Sequence, residues 1–267
     1  MDESLVGAEV AAQPGFFLTR VVPTLGGIIS IMMYGATLRT VSEARRAHSL
    51  KELSPLPFPV LLANSAGWVG YACVTRDPFV LVPNIVGVLL GVFYTLVVAS
   101  LATQRARDTV TLEALVGTAI ILGLSAFGPF SGAETAAVRA AWGWGANLIL
   151  VAYYASPLST VALVVRTRSS ASLHPGMVTM NLINGALWTS YGFAVADPFI
   201  YAINGAGAAI SVVLLALTII YPREGAAAAT AAERYERIAP SEEERGEGGE
   251  QTEADVWRGL AGHDPLV

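Results

Sequence analysis

The sequence has 267 residues, 54% of them hydrophobic and 14% charged, with a mean hydropathy of +0.55 and a formal net charge of −5. Soluble domains carry roughly 25% charge, so the composition sets aside a soluble globule and indicates a membrane protein. The one cysteine, Cys73, rules out an internal disulfide, no His/Cys spacing suits a metal, and nothing calls for a cofactor or nucleic acid. In chain order, the opening MDESLVGAEV is acidic and polar, with no basic stretch before an apolar one, so no cleaved signal peptide is expected. Seven segments then lack Asp, Glu, Lys, Arg and His: 21–38, 55–75, 78–104, 114–133, 140–165, 175–196 and 198–222. A bilayer core takes about 20 apolar residues per helix. The first segment is short, but Gly15, Phe16, Phe17 and Leu18 extend it.

Basic residues set the expected orientation. The connections after helices 1, 3 and 5 hold Arg39, Arg45, Arg46, Lys51, Arg105, Arg107, Arg166 and Arg168. Those after helices 2, 4 and 6 hold only Arg76 and Arg139. The first set belongs in the cytoplasm, which puts the N-terminus outside and the C-terminus inside. From 223 to 267 an alanine run leads into SEEERGEGGEQTEAD, too poor in apolar residues to pack a core and read as a disordered cytoplasmic tail. Ser241, followed by Glu242, Glu243 and Glu244, has the form of an acidophilic kinase site; a plain solvated tail is the simpler reading.

The chain also repeats itself at an offset of 120. Between Asn64–Gly87 and Asn184–Gly207, nine of 24 positions are identical without a gap, including Asn64/Asn184, Trp68/Trp188, Tyr71/Tyr191, Asp77/Asp197 and Asn84/Asn204. Tyr34/Tyr154, Leu38/Leu158 and Val41/Val161 extend the match weakly into the first helix of each unit. The expected organisation is an extracellular N-terminus (1–16), a three-helix unit (17–103), a linker helix (111–131), a second three-helix unit (138–222) and the tail (223–267). Four helices separate equivalent positions, so both units cross in the same direction. Such parallel repeats place a solute site near the midplane, about which the halves rock.

The stretches SPLPFPVLLANSAGWVGY, DPFVLVPNIVG, YASPLSTVALVVRTRS, LINGALWTSYG and DPFIYAINGAG resemble the SWEET (MtN3/saliva) sugar transporters over about residues 17–222. That family is itself a standing example of parallel transporter repeats. The resemblance implies an all-α membrane protein with seven transmembrane helices arranged 3+1+3. It also implies a sugar as partner, a plasma-membrane setting and a tendency to form homo-oligomers.

For Asn84 and Asn204, helix-to-helix bonding and ligand binding are equal readings on the residues alone. The resemblance implies that they bind sugar hydroxyls through an amide that both donates and accepts. It implies that Trp68 and Trp188 line the cavity, where two indoles favour a monosaccharide such as glucose. Asn64 and Asn184, one turn from each Trp, are cavity residues or interhelical links. The family's hinge prolines map to Pro57 and Pro157, to His174 with Pro175 next to it, and to Thr37, whose lack of a ring leaves one hinge in doubt. Asp77 and Asp197 before Pro suit helix capping. With Tyr71, Tyr191 and Arg76 they form an expected extracellular gate, in which Arg76 is expected to pair with Asp197. No charge falls within the seven segments, and coupled carriers place ionisable residues in the membrane. The expected activity is therefore facilitative uniport by alternating access rather than an enzyme. A retinal receptor would need a buried lysine, and the only lysine is Lys51, in a loop.

Overall fold

The computed structural model describes residues 15–51 and 53–221, with backbone only at 152, 153, 155 and 156. The acidic tail lies outside the described residues, as does nearly all of the expected N-terminal segment. A π-helical turn, Phe17–Val21, runs into α1, Val22–Arg46. Six more long helices follow: α2 Pro57–Thr75, α3 Pro78–Leu101, α4 Gln104–Ser131, α5 Thr135–Thr167, α6 Pro175–Ala194 and α7 Pro198–Ile220.

Local chemistry sets most of these boundaries. Proline opens α2, α3, α6 and α7, where its missing N–H costs no helix bond. Asp77 and Asp197 cap α3 and α7: Asp77 Oδ1 accepts from the Phe79 and Val80 amides at 2.9 and 3.2 Å, and Asp197 Oδ1 from Phe199 and Ile200 at 3.0 and 3.3 Å. Arg76, Arg168 and Gly132 stop α2, α5 and α4 in the left-handed region.

Two helices start earlier than the charge-free segments. The linker helix α4 begins at Gln104 rather than 111, and α5 at Thr135 rather than 138. Screening for missing charge finds only the apolar part of a helix. The polar first turns of α4 are helical too, and Arg107 reaches back to the Ala99 and Ala102 carbonyls at the end of α3. Glu113 and Arg139 therefore lie on these helices, each just before a charge-free run.

By length and composition, four helical stretches among the described residues can cross a bilayer: Phe17–Arg46, Pro78–Leu101, Gln104–Ser131 and Pro198–Ile220. In α5 the stretch Pro157–Thr167 is a further, shorter apolar helix.

Each three-helix unit has the same internal order. α3 lies between α1 and α2, and α7 between α5 and α6. Across the halves α2 packs on α5 and α1 on α6, the two contacts a twofold axis would exchange, while α4 leans chiefly on α2. Glycine permits the α2/α5 approach. A Cβ at Gly70 would strike the Trp142 ring, and one at Gly67 would sit 3.3 Å from Ala146 Cα.

At the Asp-Pro end one apolar core joins both halves, through Trp68, Tyr71, Val80, Trp142, Trp188, Tyr191 and Ile200. At the opposite, basic end the core splits. Val41, Phe58, Tyr94, Val97 and Val98 pack within the first half, and Val164, Leu173, Val178, Leu214 and Leu217 within the second. The halves are clamped at one end and separate at the other.

Candidate functional site: a polar cavity between the halves

Between the halves lies a cavity of about 220 Å³. That is many times the ~10–15 Å³ that admits one water, so it is not a packing void. All six expected binding residues line it: Asn64, Asn84, Asn184, Asn204, Trp68 and Trp188. Both indoles are buried, 6% and 7% exposed, which removes them from any interfacial belt. Each stands edge-on to the tyrosine three residues later, Trp68 on Tyr71 at 5.6 Å and Trp188 on Tyr191 at 6.0 Å.

Asn84 and Asn204 repeat one geometry. Asn84 Nδ2 donates to the Val80 carbonyl at 2.7 Å, and Asn204 Nδ2 to that of Ile200 at 2.8 Å. One N–H of each amide thus steadies the side chain on its own helix. The second N–H and Oδ1 stay available, a donor beside an acceptor.

The sequence comparison missed five polar lining residues: Ser30, Tyr34, Tyr154, Asn181 and Ser211. Tyr34 and Tyr154 were visible as a repeat pair and nothing more. Ser30, Asn181 and Ser211 face Leu150, Leu61 and Gly91 at the equivalent positions, so a search for identities passes over them. Among the described residues, none that lines the cavity is an Asp, Glu, His, Lys or Arg.

The Asp-Pro end closes the cavity through a reciprocal exchange. Tyr71 in the first half donates its hydroxyl to Asp197 Oδ2 in the second at 2.5 Å. Tyr191 in the second half donates to Asp77 Oδ2 in the first at 2.8 Å. Each aspartate thus caps its helix with one oxygen and ties the opposite half with the other.

Arg76 is not the partner of Asp197. The guanidinium there belongs to Arg139: Nη2 lies 2.7 Å from Asp197 Oδ2, and Nε donates to the Tyr71 hydroxyl at 3.2 Å. Arg76 has a positive φ of 56° as the last cap of α2 and is exposed. It lines a hollow at the Asp-Pro end with Arg20, Asp77, Arg139 and Asp197. Arg139 falls between the charge-free segments, and the extension of α5 back to Thr135 brings it onto Asp197 and Tyr71.

The hinge positions separate into two kinds. Pro57 and Pro175 are the first residues of α2 and α6, and neither interrupts a helix. Pro157 lies inside α5 and lines the cavity, whereas its repeat equivalent Thr37 sits in the uninterrupted α1.

The family model described as "Sugar efflux transporter for intercellular exchange" matches twice, over residues 20–106 and 141–226, one match per half. The chain is 26% identical over 212 residues to the Sugar transporter SWEET1 of Homo sapiens, covering 79% of this chain and 95% of that one. It is 28% identical over 221 residues to the Bidirectional sugar transporter N3 of Medicago truncatula, covering 81% of each. Among solved structures, a eukaryotic SWEET transporter at 3.7 Å resolution superposes with a TM-score of 0.69 over 77% of this chain and 97% of its own, at 20% identity. With the doubled match on the two halves and the same 3+1+3 helical fold, the chain belongs to the SWEET (MtN3/saliva) family.

Proposed function

We propose that this protein carries a sugar down its gradient, as a uniporter, by alternating access about the cavity between its halves. The observation that carries this reading is the cavity itself: an amide pair and an indole pair, each related by the repeat, in a site clamped at one end and divided at the other. Asn84 and Asn204 bond ring hydroxyls, Trp68 and Trp188 cover the C–H faces, and Asn64 and Asn184 complete the polar wall. The two indoles leave room for one ring, which favours a monosaccharide such as glucose.

Tyr71, Tyr191, Asp77, Asp197 and Arg139 form the closed outer gate, with Arg76 at its rim. Pro157, with Pro57 and Pro175 at helix starts, supplies the bending; Thr37 supplies less. The lack of Asp, Glu, His, Lys and Arg among the described residues of the cavity wall supports uniport over ion coupling. The basic connections face the cytoplasm, so the gate faces outward, the expected membrane is the plasma membrane, and this conformation is open inward. Homo-oligomer formation rests on the family resemblance alone.

Uptake of radiolabelled glucose, fructose and sucrose by purified protein in liposomes tests the reading. Glucose uptake above empty liposomes, lost in Asn84→Ala and in Asn204→Ala, is expected. No uptake of any sugar, or full uptake in both variants, contradicts it.

A further inference from the structure

The two walls of the cavity are related by the repeat in sequence but not in chemistry. On the second-half wall the Trp188 indole N–H donates to Ser30 Oγ at 3.2 Å, and the Ser30 hydroxyl donates to Asn184 Oδ1 at 3.0 Å. Ser30 is 8% exposed, and the Trp188 ring lies so close to Gly26 that a Cβ there would sit 3.2 Å from it. This wall has committed its indole donor, and one of the two acceptor positions of its amide oxygen, to the protein.

On the first-half wall the position equivalent to Ser30 is Leu150, which also lines the cavity. Leucine can bond neither group. Asn64 Oδ1 is buried with no partner among the described residues, and the Trp68 indole N–H makes no hydrogen bond there either. A buried, unpaired carbonyl is costly, and a polar wall facing a cavity recovers that cost when a ligand hydroxyl pairs with it.

We infer that the sugar binds with a fixed polarity: its hydroxyl-rich edge faces Trp68 and Asn64, and residues 30 and 150 set that choice by occupying one wall and leaving the other free. The inference rests on the sugar-carrier reading for its ligand. The asymmetry of the two indoles is separate from that reading and is measurable without any sugar.

The test has two arms, on the full chain in detergent and in liposomes. In the first, solvent exchange of the assigned indole N–H protons is followed by NMR without sugar, with Trp→Phe variants for assignment. Trp188 N–H is expected to exchange at least about tenfold more slowly than Trp68 N–H, the size one hydrogen bond carries. Ser30→Ala should remove that protection, and Leu150→Ser should confer it on Trp68. Equal exchange at the two indoles, or protection of Trp188 that survives Ser30→Ala, overturns the inference.

In the second arm, glucose uptake kinetics are compared between wild type and Leu150→Ser at matched incorporation. The new hydroxyl competes with the sugar, so KM should rise about five- to tenfold with little change in maximal rate. Relative to wild type, Ser30→Ala should flatten discrimination among singly deoxygenated glucoses, because the second wall then offers the same groups. An unchanged KM in Leu150→Ser and an unchanged deoxy-sugar profile in Ser30→Ala overturn the inference while leaving the carrier reading intact. A wild type that moves no sugar overturns the carrier reading and, with it, the assigned ligand, whatever the exchange arm shows.

Discussion

One carboxylate at each Asp-Pro helix start does two jobs. Asp197 caps α7 through Oδ1 and receives Tyr71 and Arg139 on Oδ2. It is 4% exposed, so the bond from the Tyr71 hydroxyl is a buried bond to a charged group, worth about 1.5–3 kcal/mol. The arginine side chain is 42% exposed and its pairing contributes less, about 0–1 kcal/mol. Tyr71→Phe should therefore shift the equilibrium toward outer opening by roughly tenfold or more, and Arg139→Ala by severalfold. The readout is labelling of Ile200→Cys, on the cavity wall below the gate, by an impermeant maleimide from the outer side in a Cys73→Ser background. Arg76→Ala should leave labelling unchanged; a rise there equal to that in Arg139→Ala would return the gate to Arg76. The capping role of both aspartates was legible in the Asp-Pro dipeptides, because capping is local chemistry. The identity of the guanidinium was not, because it depends on how far α5 extends and on which way a side chain turns across two helices.

At the scale of the elements the repeat is imperfect at one pair of the expected hinge positions. Pro157 breaks the bonding of α5 beside the cavity. Its counterpart Thr37 leaves α1 whole, and the Tyr94 hydroxyl ties α1 to α3 by donating to the Tyr34 carbonyl at 2.6 Å. The second half should thus flex more than the first. Pro157→Ala is expected to slow net glucose transport severalfold with little change in glucose affinity, whereas Thr37→Ala should change neither; equal effects would mean the halves bend alike. The α2/α5 seam is the stiff counterpart. Gly70→Ala pushes a methyl into the Trp142 ring, an overpacking that costs about 1–3 kcal/mol and should lower the melting temperature in detergent. The long helices were readable from runs without charge, and the start of α4 was not, since Gln104–Glu113 carries the charges that such runs exclude. The hinge role expected of Pro57 and Pro175 also looks different once both are seen to open their helices, since proline there costs no backbone bond.

The whole molecule is two similar bundles that share one core at the Asp-Pro end and part at the basic end. The two bundles follow from the repeat, because identical residues 120 positions apart imply equivalent places about an axis, whereas which end is joined depends on packing between the halves. The polar residues without a repeat partner, Ser30, Asn181 and Ser211, were hidden for the same reason: symmetry in the sequence draws attention away from them. Cavity width belongs to this scale too. Trp68→Ser removes most of one wall, at a loss of apolar contact worth ~25 cal/mol per Å², and should raise the ratio of sucrose to glucose uptake; an unchanged ratio would show that width at Trp68 does not set the choice. The central claim is that the gradient of the sugar alone drives a carrier whose described cavity wall holds no Asp, Glu, His, Lys or Arg. It is tested most directly by glucose uptake and counterflow in proteoliposomes under an imposed proton gradient, with and without a protonophore. The account predicts saturable uptake that trans glucose accelerates and that collapse of the gradient leaves unchanged. Uptake that stops when the protonophore is added would contradict it.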